Sequence, residues 1–202
     1  MPIYHSTKFP ESKLAHDLLD GLTGLEIGGA LHNAFGLDTL NVDRVHNTDL
    51  SFEPYALEQV RLGGEVMPVD IVAPGDKIPV KDESFDFVIS SHVIEHFYDP
   101  ISAIKEWMRI ARQYIFIICP QRDALESDRD KPLTPLDEHI ERFRGDVKIS
   151  SDEHHSRWTC ESFCDMVNWI CRQEWGEGWE ICATENPEKK VGNGFAVVLK
   201  KT

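Results

Sequence analysis

Two apolar spacings alternate along the first 120 residues. TGLEIGG (23–29), TLNVD (39–43), EVMPVDIV (65–72), FDFVIS (85–90) and YIFIICP (114–120) are short apolar or β-branched runs that predict strands. Between them, KLAHDLLDGL (13–22), FEPYALEQVRL (52–62) and DPISAIKEWMRIAR (99–112) carry apolar residues at helical spacing. Asp99 is placed to cap the last of these, with Pro100 in its first turn. YIFIICP is apolar on both faces, as a strand buried inside a parallel sheet must be. Strands alternating with helices predict an α/β fold with a parallel sheet covered on both sides. The C-terminus breaks the rhythm. A helix is expected over ESFCDMVNWICRQEW (161–175), then strands over WEICATE (179–185) and GFAVVLKK (194–201). Their link, NPEKKVGN, is too short for a helical crossover and forces antiparallel pairing. The expected sheet is therefore open and mostly parallel, with one antiparallel strand from the C-terminus.

Residues 121–160 fit neither pattern. They are highly charged, hold at most one short helix (PLDEHIERF), and interleave Leu, Ile, Phe and Trp among the charges. A connection of this length in a compact domain is expected to be a lid or binding segment. With no linker and no repeat, 1–202 reads as one domain. No apolar run is long enough to cross a bilayer, and MPIYHSTKFPESK lacks the basic start and apolar core of a signal peptide, so a cytoplasmic location is expected, without membrane association. Acids outnumber bases 35 to 21, for a net charge of −14, which argues against nucleic acid as the partner. Five cysteines lack CxxC spacing, and Cys160, Cys164 and Cys171 share one helical face, which reads as core packing.

In open α/β sheets ligands bind beyond the carboxyl ends of the strands. The polar residues at those ends are Glu26, Gly28 and Gly29 on the first strand and Asp43 on the second. Asp70 or the turn APGD (73–76) ends the third, and Ser90, Ser91 and His92 the fourth. EIGGALHNAFG departs from G-x-G-x-x-G after Gly28 and Gly29, so a pyrophosphate grip is not expected and a nicotinamide oxidoreductase is disfavoured. A ligand with an ammonium group and a ribose suits these positions better. Glu26 would attract the ammonium, the glycines would allow close backbone approach, and Asp43 would accept both ribose hydroxyls. S-adenosylmethionine is such a ligand.

The stretch DKIPVKDESFDFVISSHVIEHFYDPISAIKEWMRIAR, together with LEIGG, resembles the class I S-adenosylmethionine-dependent methyltransferases. The resemblance covers about Gly24 to Pro120 and implies a Rossmann-like fold and S-adenosylmethionine as cofactor. Carried over by position, it implies amino-acid-end contacts at Glu26, Gly28 and Gly29, a ribose contact at Asp43, and Ser91 and His92 beside the sulfonium. The family's acid at the adenine falls on Pro74, so adenine is expected against the backbone of Gly75 and Asp76. Ala30 and His32 stand where further glycines are usual, which keeps open a catalytically inactive cofactor-binding module as the alternative. The insert is similar to that of a bacterial subgroup associated with surface-polysaccharide or secondary-metabolite assembly. This implies a small-molecule or sugar acceptor, with a hydroxyl the expected atom.

A hydroxyl acceptor calls for a base near neutral pH, a role suited to histidine. The candidates are His92, Glu95 and His96 after the fourth strand and Asp152, Glu153, His154 and His155 in the insert. The expectation is that His154 or His155 is the base, delivered by the lid, with His96 and Glu95 beneath the acceptor. A divalent metal is weighed and not favoured, because no spacing matches a metal motif. Trp158 and Trp169 are read either as lining the acceptor pocket or as core.

Overall fold

The computed structural model describes residues 12–29, 35–46, 48–50, 53–63, 66–145, 147, 149 and 153–202. In chain order these form α1 (Lys13–Leu19), β1 (Thr23–Ile27), β2 (Asp38–Asp43), α2 (Glu53–Gly63), β3 (Ile71–Val72) and β4 (Phe85–Ser91). There follow α3 (Pro100–Ile110), β5 (Ala111–Pro120), α4 (Leu136–Arg144), α5 (Cys160–Cys171), β6 (Trp179–Glu185) and β7 (Gly194–Lys201). One seven-stranded sheet runs in the order β3-β2-β1-β4-β5-β7-β6. Every pairing is parallel except those of β7, which is antiparallel to both β5 and β6. This is the Rossmann-like sheet expected from the alternation, and the eight-residue link before β7 reverses the chain as its length requires.

Period-two alternation sorts the strand side chains into two cores. Val88, Ile115 and Ile117 face one side and bury against Ile104 and Trp107 of α3 and Phe163, Val167 and Ile170 of α5. Phe87, Ile89, Phe116 and Ile118 face the other, against Ala15 and Leu19 of α1 and against Phe35. Asp99 caps α3 by accepting from the Ser102 amide at 3.0 Å, and Thr159 with Ser162 forms a capping box on α5. Cys160, Cys164 and Cys171 pack along α5 against the core, as their spacing predicts.

Three boundaries moved most. The helix expected over 161–175 stops at Cys171, where the Arg172 and Gln173 amides turn back to the Trp169 and Ile170 carbonyls. The third strand, expected over 65–72, is ordered as a strand only at Ile71–Val72. Pro68 has no N–H for a ladder, and side chains hold the neighbouring backbone instead. Asp70 accepts from the Asn41 amide at 2.8 Å, Asn41 Nδ2 donates to the Pro68 carbonyl at 3.0 Å, and Gln59 accepts from the Met67 amide at 2.6 Å. At the remaining boundary, α3 stops at Ile110 and β5 begins at once, because Ala111 already pairs with Phe85 and Arg112 reaches the Asp86 carboxylate at 3.0 Å. Among the described residues no helix is long and apolar enough to cross a membrane.

Candidate active site

The sheet ends β1, β2 and β4 together carry the first half of the site. Glu26, next to last on β1, is 2% exposed and accepts a hydrogen bond from Thr39 Oγ1 at 3.4 Å. Burial lifts its carboxyl to about 7, against the opposing pull of the Lys190 ammonium and the hydrogen bonds from Thr39 and the Phe35 backbone. The chain then turns at Gly28, whose φ of +64° suits glycine and whose amide donates to the Val42 carbonyl at 2.8 Å. A Cβ on Gly29 would lie 2.9 Å from Glu26 Oε1 and 3.1 Å from Asn41 Oδ1. The Gly29 amide also donates to Asn41 Oδ1 at 3.1 Å. Asp43, partly exposed at the end of β2, accepts from the Val45 amide at 3.2 Å. Ala30 and His32 lie outside the described residues.

Gly75 packs under the same edge. A Cβ there would meet Ile27 Cγ2 and Phe97 Cζ, each at 2.9 Å, while its carbonyl accepts from the Trp107 indole at 2.8 Å. Beside Gly75 and Asp76, a cleft of about 330 Å³ is lined by Val72, Ala73, Pro74, Lys77, Ile78 and Pro79. At the end of β4, Ser90 and Ser91 are buried, and their hydroxyls have no hydrogen-bond partner among the described residues. His92 follows with φ +55°, a left-handed backbone rare outside glycine and a sign of local strain. A backbone hydrogen bond from its amide to the Ile118 carbonyl, 3.0 Å, holds it there.

Sequence reasoning missed two members of this half. Asn41 reads as one more polar residue inside a strand. Lys190 sits in the NPEKKVGN hairpin, where a lysine reads as solvated. Glu188 organises that hairpin, accepting from the amides of Lys190 at 2.7 Å and Val191 at 3.0 Å. This turns Lys190 inward until it is 1% exposed, over the Phe35 ring at 4.6 Å and close enough to Glu26 to act on its ionisation. No local pattern signals that inversion. A carboxylate and an ammonium group side by side complement a zwitterionic amino acid.

The second half is a polar knot beyond β4. Ile94–His96 forms a 3₁₀ turn with Glu95 inside it, 1% exposed. Three imidazole nitrogens surround Glu95 Oε1 at 3.9 Å each: His92 Nδ1, His96 Nε2 and His154 Nε2. Burial, with nearby Asp128 adding to it, raises the Glu95 carboxyl to about 8. His154 comes from the insert, and its Nδ1 lies 2.6 Å from Asp128 Oδ2. Asp128 resists its own burial through Lys131 and His154, which hold its carboxyl below the usual range.

His155 is directed elsewhere. Its ring lies edge-on to Tyr98, and burial beside the Arg142 guanidinium lowers its affinity for a proton. Its backbone amide donates to the Glu95 carbonyl at 2.8 Å. Arg142 donates to the carbonyls of Tyr98 and His155 and to Ser156 Oγ, which stitches α4 to both segments. Asp152 lies outside the described residues, and Glu153 is exposed. Trp158 is core: it is 1% exposed, packs on Phe163, and donates its indole N–H to His139 at 2.9 Å. Trp169 packs edge-on to Phe143.

Residues 25–118 match the family model of the methyltransferase domain. No curated protein sequence matches the chain. Among solved structures it is similar to an S-adenosylmethionine-dependent methyltransferase from Methanosarcina mazei, with 16% identity, 94% of this chain and 97% of that one covered, and a TM-score of 0.56. A Thermotoga maritima protein also described as a SAM-dependent methyltransferase gives 19% identity, 93% and 86% coverage and a TM-score of 0.52. The magnesium protoporphyrin IX methyltransferase of Synechocystis PCC 6803, solved with S-adenosylhomocysteine bound, gives 12%, 94% and 78%, and 0.53. At these identities the likeness to solved structures is one of fold.

Proposed function

We propose that the chain is a class I S-adenosylmethionine-dependent methyltransferase, a reading supported by the methyltransferase-domain match over residues 25–118, and that it methylates a hydroxyl of a small-molecule or sugar acceptor. When bound, the cofactor supplies an electrophilic methyl group on a sulfonium. Glu26 and Lys190 take its ammonium and carboxylate, and Gly28 and Gly29 leave room for its amino-acid end. Asp43 accepts from the ribose hydroxyls, the backbone at Gly75 and Asp76 borders the adenine, and Ser91 and His92 flank the sulfonium end. The chain acts as one domain over 1–202, with 121–160 closing over the acceptor.

One observation carries the acceptor reading: the Asp128–His154 hydrogen bond, which aims His154 Nε2 at Glu95 Oε1 beside His96. An ionised Asp128 can only accept, so the ring donates its Nδ1–H and keeps a lone pair on Nε2. A hydroxyl set between His154 and His96 meets a group able to assist loss of its proton. His155, turned toward Tyr98, anchors the insert and is not assigned a place at the acceptor.

The test combines calorimetry with S-adenosylhomocysteine and a methyl-transfer assay over a panel of sugars and phenols. The wild type should bind the product and release methyl to a hydroxyl. His154→Ala should lose turnover at least 100-fold with product affinity unchanged. Tight binding without transfer to any acceptor would instead favour an inactive binding module.

A further inference from the structure

We infer that Glu95, His96 and His154 form a site for a divalent first-row transition ion, and that this ion holds the acceptor oxygen. One ligand atom from each residue lies within 4.8 Å of the other two, and Glu95 Oε1 is 3.9 Å from both imidazole Nε2 atoms. These separations are too long for hydrogen bonds. An ion at the centre of such a triangle would stand about 2.5 Å from each donor, so a few tenths of an ångström of closure brings ordinary ligand distances. Two imidazoles and one carboxylate suit Zn²⁺, Fe²⁺ and their neighbours better than the hard ions Mg²⁺ and Ca²⁺.

Two further features point to an ion. Glu95 is 1% exposed, and its Oε2 has no hydrogen-bond partner among the described residues, so a buried acceptor is left over. His154 also has the support usual for a metal-bound histidine. Its Nδ1 is 2.6 Å from Asp128 Oδ2, and Asp128 is in turn held by Lys131 Nζ at 3.0 Å and Arg157 Nη1 at 3.6 Å. That arrangement fixes the ring so that Nε2 presents its lone pair to the centre of the cluster.

Three protein ligands leave positions open for a hydroxyl. With the ion bound, His154 Nε2 is a ligand and not the base; the ion itself acidifies the hydroxyl, and the proton passes to solvent as the oxygen coordinates. That this oxygen belongs to the acceptor rests on the methyltransferase reading; the ion site itself does not.

The experiment titrates chelator-treated full-length protein with Co²⁺, followed by visible absorption, and with Zn²⁺, followed by calorimetry. S-adenosylhomocysteine is titrated in parallel. One ion per chain is expected, with affinity about 100-fold lower in His154→Ala and His96→Ala and about 10-fold or more lower in Asp128→Asn. Should His154→Ala lose product binding through misfolding, His96→Ala decides, because that side chain is one-third exposed. No bound ion, or ion binding unchanged in the folded variants, overturns the inference. Product still bound in that case leaves the methyltransferase reading intact, whereas absence of product binding with the ion retained would remove that reading and spare the ion.

Discussion

Glu26→Gln isolates the buried carboxyl near the end of β1. The wild-type carboxyl sits at about 7 in the folded chain against 4.5 in the unfolded one. A carboxyl raised by folding is more protonated in the native state, so the stability gained from that proton is present at low pH and fades as pH climbs through 7. Taking the two values through the linkage relation, this group contributes roughly 2–3 kcal/mol at pH 5 and almost nothing at pH 8. Glutamine mimics the neutral form at every pH. Stability of the variant relative to wild type should therefore rise by roughly 2–3 kcal/mol between pH 5 and pH 8. Urea unfolding of both proteins at pH 5, 6, 7 and 8 measures it, and the difference removes the titration of groups common to both. A difference that is flat with pH, or that shrinks toward pH 8, would refute the reasoning. The ligand supplies a second readout. If Glu26 must be ionised to meet an ammonium, wild-type affinity for S-adenosylhomocysteine should fall about tenfold from its plateau when pH drops to 6, while the variant is weak throughout.

Asp43→Ala should weaken S-adenosylhomocysteine by 10- to 100-fold in calorimetry, as expected for losing hydrogen bonds to a charged acceptor, with little change in melting temperature. Gly29→Ala should cost at least tenfold in the same assay, because the new methyl would sit 2.9 Å from Glu26 Oε1 and displace the carboxylate. His139 is buried, and desolvation, with Arg142 nearby, lowers its pKa to about 3. The unfolded chain therefore takes up the proton first as pH falls below 6.5, and stability drops by roughly 3 kcal/mol from that group by pH 4.5. His139→Gln, which keeps an acceptor for Trp158, should flatten this acid limb in urea unfolding.

Strand and helix identity was legible wherever an element's own residues decide it. The alternation in β4 and β5 and the Asp-Pro start of α3 are local facts, and the eight-residue link before β7 left the chain no room except to reverse. The third strand was overread, because runs of Val, Met and Ile carry no sign that side chains of Asn41 and Gln59 will take their backbone partners.

The candidate site divides the same way. Glu26, the glycine turn, Asp43 and the serines stand at strand ends, and a parallel sheet brings strand ends together, so order along the chain was enough to place them at one edge. The histidines after β4 were legible as chemistry but not as geometry. Only packing could show that His154 turns to Glu95 under the hold of Asp128 while His155 turns to Tyr98, since adjacent residues diverge according to partners far away in sequence. Lys190 was hidden for the same reason, a hairpin lysine buried because Glu188 curls the loop inward. Periodicity and chain length set the sheet and its edge; long-range hydrogen bonds, which no local pattern encodes, set which charges meet there.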